Sequence, residues 1–268
     1  MHQISQEELN ELSVSDLVER MDALLQRSRR ERYAPLPKGF PAESLVGQII
    51  TTKKVSVFSD TIQKRIAHIA FAYLVELELN HVSGGFANAL LYNSDYDEQT
   101  SWLSPTFRLR DGAIRQYEIV SSRIAMEIFM DLLHCIETGD RLKSRRSKLK
   151  RFRQWLVDAG NPFYYFAHVL LEAYRFDRNI RTPEIHGTPR LPKKLLLLQH
   201  PSHEELNDAH YLSNILSSCW APLLDLLNNE RPSYMQISDT EEEWFSIYMT
   251  GSEADISEKL SVMFEDIE

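Results

Sequence analysis

The segment Arg181-Thr182-Pro183-Glu184-Ile185-His186 sets a guanidinium and an imidazole on either side of four residues. An arginine grips a phosphate through two parallel hydrogen bonds and offsets charge that builds up in a transition state. A histidine near neutral pH takes a proton from a 2′-hydroxyl or returns one to a leaving oxygen. The couple therefore holds what metal-independent RNA cleavage requires, with Arg181 on the phosphate and His186 as general acid and base. The simpler reading is local: Arg181 pairs with Glu184, and His186 sits in a solvated turn. Pro183 keeps the couple out of a helix interior.

The couple follows a strongly cationic stretch. RLKSRRSKLKRFR (141–153) holds eight Lys/Arg and no acid, and four further arginines fall within 174–190. Arg145, Arg146, Lys148, Lys150, Arg151, Arg153 and Arg178 are the candidate phosphate contacts. Within a helix over 144–158, Leu149, Phe152, Trp155 and Leu156 share one side and the cations take the rest. Phe152 and Trp155 read as core residues rather than stacking platforms. Two other uses of the cations stay open. They can meet acids of the same chain, or they can meet an acidic protein partner.

Metal chemistry has two candidate patterns. Glu78-Leu-Asn-His81 and Asp131-Leu-Leu-His134 carry the carboxylate-x-x-His spacing of di-iron helical bundles, with Glu127 one turn before the second. In His200-x2-His203-x6-His210, His203, Asn207 and His210 share a helix face at i, i+4 and i+7, without the tight His-Glu-x-x-His pair. The bland reading makes His81 a helix-end residue and His134 a core histidine. No phosphate-binding glycine loop, dinucleotide fingerprint, nucleophile elbow or CxxC occurs. No cofactor is expected, and no residue is assigned to a metal.

Arg181, Thr182 and His186, between two late helices of a helical protein, resemble the Arg-x4-6-His motif of the HEPN superfamily of higher eukaryote and prokaryote nucleotide-binding proteins. The resemblance covers residues 110–230 at most. It implies an all-α fold, a homodimer that pairs long helices, and either RNase activity of a toxin or defence system or a role as an RNA-binding scaffold.

The elements that must position these residues are helical. The chain has 268 residues, 43% hydrophobic and 26% charged, so it is long enough to bury a core without staples. Its nine glycines are few for barrels or nucleotide-binding α/β folds. ITTKKVSVF (50–58) is the one β-like run, and a single strand makes no sheet. The periodicity predicts an all-α fold, a single multi-helix bundle of about seven to nine helices. Residues 1–43 form an N-terminal helix and a Pro-rich arm, 44–238 the helical core, and 239–268 an acidic helical segment.

Ser13 and Asp16 cap a helix carrying Leu17, Met21, Leu24 and Leu25. A helix starting near Ser59 or Asp60 is apolar nearly all round and stops at Gly84-Gly85. Another runs from about Arg110 to Ile136, ended by Thr138-Gly139-Asp140. Asn161-Pro162 starts a helix over 162–180. A helix over about 203–229 is kinked by Pro222.

The formal charge of −9 is concentrated at one end. Residues 239–268 hold ten acids and one lysine, which leaves 29 basic against 29 acidic residues before them. The two cysteines, Cys135 and Cys219, sit in apolar helical patterns and read as buried thiols. With an acidic, polar N-terminal stretch and no long apolar run, the expectation is a cytoplasmic protein outside the membrane.

Three functions fit these readings. One is HEPN-like RNA binding or processing. The second is a non-enzymatic interaction protein, of immunity, antitoxin or adaptor type, that docks through its acidic C-terminal segment. The third is a di-iron-type bundle enzyme.

Overall fold

The computed structural model of the chain describes residues 5–30, 46–92, 105–142, 148–158, 162–170 and 215–233, with short pieces between 246 and 262. Among the described residues the fold is all-α, with no strand.

The first helix, α1 (Gln6–Glu11), falls in the acidic, polar N-terminal stretch, ahead of the helix that Ser13 and Asp16 cap. A capping box starts it: Glu8 N donates to Ser5 Oγ at 3.2 Å, and Ser5 N donates to Glu8 Oε2 at 2.7 Å. Ser13 and Asp16 start α2 (Val14–Arg30): Asp16 N donates to Ser13 Oγ at 3.1 Å, and that hydroxyl donates to Asp16 Oδ2 at 2.7 Å. Leu17, Met21 and Leu25 turn inward, while Leu24, at the edge of that stripe, stays 41% exposed. Asp22 then accepts from Val46 N at 2.6 Å and Gly47 N at 3.3 Å, tying α2 to the short α3 (Val46–Ile50). Gly47 permits this approach, since a Cβ there would lie 3.2 Å from Asp22 Oδ2.

The β-like run after α3 is a chain of turns. Thr52 Oγ1 donates to Ile49 O at 2.7 Å and Ser56 N to Thr52 O at 2.9 Å, so local partners take groups a strand would offer outward. Lys54 N donates to Leu227 O at 2.9 Å, which fastens the turns to the far end of the core.

Two long helices form the centre. Helix α4 (Asp60–Tyr92) has 33 residues and α5 (Pro105–Thr138) has 34, each about 50 Å long at 1.5 Å per residue. They pack along one another. Helix α4 passes through Gly84-Gly85 without the predicted stop, because glycine weakens a helix by about 1 kcal/mol but, unlike proline, removes no hydrogen bond. Helix α5 ends where predicted: Gly139, at φ 76°, follows Thr138, and its N–H donates to Cys135 O at 2.8 Å.

One hydrophobic cluster gathers side chains from α2 through the last core helix. Tyr73 lies at its middle, stacked on Phe129 at 5.1 Å and on Trp220 at 6.4 Å. Such pairs add about 0.5–1.5 kcal/mol each beyond their buried area. The Tyr73 hydroxyl donates to Leu216 O at 2.5 Å, and burial pushes its acidity far below the ordinary phenol. Cys135 and Cys219 are free thiols within this cluster, as expected.

Helix α6 (Lys148–Asp158) lies against α5 and presents Phe152 and Leu156 to the core. A 3₁₀ helix, Pro162–Phe166, and helical backbone at 167–170 begin where Asn161-Pro162 predicted a start. The predicted kink at Pro222 is a restart at Cys219, with α7 (Trp220–Leu227) beginning there. Pro222 thus stands in a first turn, where its missing N–H costs nothing. Asn228 and Asn229 close α7: Glu230 N donates to Asp225 O at 2.8 Å and Asn229 N to Leu226 O at 3.1 Å, with Asn229 at φ 58°. Near the C-terminus, Ser252 N donates to Asp255 Oδ2 at 2.8 Å and Asp255 N to Ser252 Oγ at 3.2 Å.

Candidate functional site

The end of α5 is built as a knot of hydrogen bonds. Thr138 Oγ1 donates to His134 O at 2.8 Å and approaches Asp140 O at 3.2 Å. His134 Nδ1 lies 2.8 Å from Asp140 O. A carbonyl only accepts, so Nδ1 donates this bond. From α4, Arg65 donates to Gly139 O and to Asp140 Oδ1, the latter at 2.7 Å. The turn 139–140 is thereby held from both long helices, and the Asp140 charge is matched by Arg65.

Against this knot α6 lays Arg151, Gln154 and Trp155, spaced i, i+3 and i+4 on one helix face. Together with His134, Thr138, Asp140, Arg141 and Leu142 they line a cleft of about 500 Å³. Trp155 is half-buried. His134 and Phe152 each lie 5.2 Å from its ring and Phe163 lies at 6.4 Å, which fixes the indole. Arg141, Arg151 and Gln154 are exposed.

A second acid beside α6 is also matched. Lys148 Nζ donates to Asp131 Oδ2 at 2.6 Å, with Asp131 only 8% exposed. Among the described residues, the Asp140 and Asp131 carboxylates beside the cleft are each ion-paired, and the guanidinium groups of Arg141 and Arg151 line it.

Of the residues singled out in the sequence, Lys148 and Arg151 fall here. Lys148 turns to α5 and Arg151 to the cleft. The backbone at Lys150 and Arg153 is helical, and their side chains lie outside the described residues, as do Arg145, Arg146, Arg178, Arg181 and His186. The meeting of Arg181 with His186 is therefore outside the described part.

The second di-iron pattern is used differently: Asp131 holds Lys148, and His134 holds the turn. Among the described residues no three of His, Cys, Asp and Glu gather to hold a metal. The side chains of Glu78 and His81, and residues 200–210, lie outside that set. No helix among the described residues is long and apolar enough to cross a membrane.

Sequence reading missed Arg141, His134 and Trp155 as neighbours in one cleft. A signal existed. The cationic run starts directly after the helix stop Thr138-Gly139-Asp140, so its first arginine must lie beside the end of α5.

No protein-family model, curated protein or solved structure matches the chain. The chemistry of the cleft is what bears on function.

Proposed function

We propose that the protein binds RNA through the face formed by α6 and the end of α5. The observation that carries this is the joint placement of two guanidinium groups, Arg141 and Arg151, and a half-buried indole, Trp155, on one cleft whose acid is already ion-paired. Guanidinium groups suit phosphates, and aromatic rings suit bases that are out of a helix. Lys150, Arg153, Arg145, Arg146 and Arg178 extend the basic track along the backbone in this reading.

The HEPN resemblance adds a chemical step. Arg181 holds the scissile phosphate, and His186 takes the 2′-hydroxyl proton as the 2′-oxygen attacks phosphorus and the 5′-oxygen leaves. A homodimer, as in that family, brings two such faces together.

Labelled RNA in low salt with EDTA tests both levels. Retarded RNA that dissociates as salt rises supports binding, and shortened RNA lost on Arg181→Ala and His186→Ala supports cleavage. RNA that stays free at low salt ends the proposal.

A further inference from the structure

The cleft has a shape that sequence-independent phosphate binding does not require. A basic helix alone suffices to follow a backbone, whereas here the cations border a recess with an aromatic wall. It is a shallow hollow open to solvent, with a volume of about 500 Å³. Phe152, 1% exposed, and Phe163, 1% exposed, back the indole, so the ring is set before any ligand arrives. A prepositioned ring spends little entropy on binding.

The polar groups around it suit the edge of a base. His134 lines the recess with Nδ1 committed to Asp140 O, which leaves Nε2 as its other polar ring atom. Gln154 offers both a donor and an acceptor. Arg141 and Arg151 lie at the same recess and match a phosphate in charge. Base, ribose and phosphate are the three parts of a nucleotide, and the recess has a group for the first and last.

We infer that this recess seats one unpaired nucleotide, with its base against Trp155 and its phosphate at Arg141 and Arg151. The inference rests on the RNA reading above and makes it specific: the protein selects single strands. A duplex keeps its bases stacked inside and offers only its backbone, so it leaves the recess empty.

Fluorescence anisotropy with the full chain, in EDTA and low salt, separates the two claims. The probes are a short labelled single-stranded RNA and the same strand annealed to its complement. The single strand is expected to bind about tenfold more tightly or better, the size of one base–aromatic stack. Trp155→Leu should bring the two probes to equal affinity, and Trp155→Tyr should keep the preference. Should Trp155→Leu fail to fold, the tryptophan emission of the native protein decides. Quenching by the single strand and not by the duplex supports the seat, and equal response overturns it. Equal, measurable affinity for both probes overturns the seat while the RNA reading stands. No binding of either probe overturns both.

Discussion

Lys148 at the start of α6 reaches Asp131 on α5, with Nζ 2.6 Å from Oδ2. The other oxygen of that carboxylate is buried and has no hydrogen-bond partner. Lys148 is therefore the ion-pair partner of a carboxylate that is almost wholly buried. Lys148→Met is expected to cost about 1–3 kcal/mol, because it strands a buried charge. Adding Asp131→Leu should recover much of that loss, since no unmatched charge remains. Urea unfolding of the two singles and the double measures the coupling, and simple additivity would contradict it.

His168 gives stability a dependence on acid. It is 3% exposed, and burial lowers its pKa from 6.5 to about 4, against the small upward pull of the Tyr165 carbonyl. Between those two values the unfolded chain takes a proton that the folded chain refuses, so stability falls as pH drops from about 6.5 to 4. The full effect is about 3 kcal/mol at 1.36 kcal/mol per unit. Melting temperatures of the wild type and His168→Leu across this window check it. The variant should have a flatter profile by roughly one proton.

Gly139 turns the chain out of α5 at φ 76°, and a Cβ there would stand 3.2 Å from Ile62 Cδ1. Gly139→Ala should therefore cost about 1–2 kcal/mol from the left-handed backbone alone, with the Ile62 contact adding to it. Asn229 adopts the same region at φ 58° with a residue that tolerates it less well than glycine. Asn229→Gly is expected to be neutral or slightly stabilising. Thermal unfolding of both variants gives the signs, and a stabilised Gly139→Ala would contradict the cap assigned here.

Features set by nearby residues were legible before the structure. The period of apolar residues placed α2, α4, α5 and α6. Ser13 with Asp16, and Thr138-Gly139-Asp140, marked ends because a cap needs only three or four neighbouring residues. Features settled by distant residues were not. Nothing local says that Lys54 N finds Leu227 O, and without that bond ITTKKVSVF looks like a strand. Gly84-Gly85 looks like a stop until the surrounding turns of α4 are seen to continue. Trp155 fits a core stripe, and only the packing of α6 on the end of α5 turns part of its ring toward a cleft. The Asp131/His134 pattern has metal-ligand spacing, yet each side chain is engaged by a residue outside the motif.

The two cations of α6 whose side chains are described, Lys148 and Arg151, face different neighbours. Lys148 pairs with Asp131 on α5, and Arg151 lines the cleft with Arg141. If RNA binds this face, each phosphate neutralised releases counterions, and log K falls with log salt by about 0.7 per contact on a single strand. Arg151→Gln and Arg141→Gln should each flatten that slope by about 0.7 and weaken binding across sequences. Lys148→Gln should leave the slope unchanged, although it lowers stability. Binding isotherms at several salt concentrations, on variants whose helical signal matches the wild type, read this directly. A slope lost on Lys148→Gln and kept on Arg151→Gln would move the contact surface from the cleft to the part of α6 around Lys148 and its seam with α5.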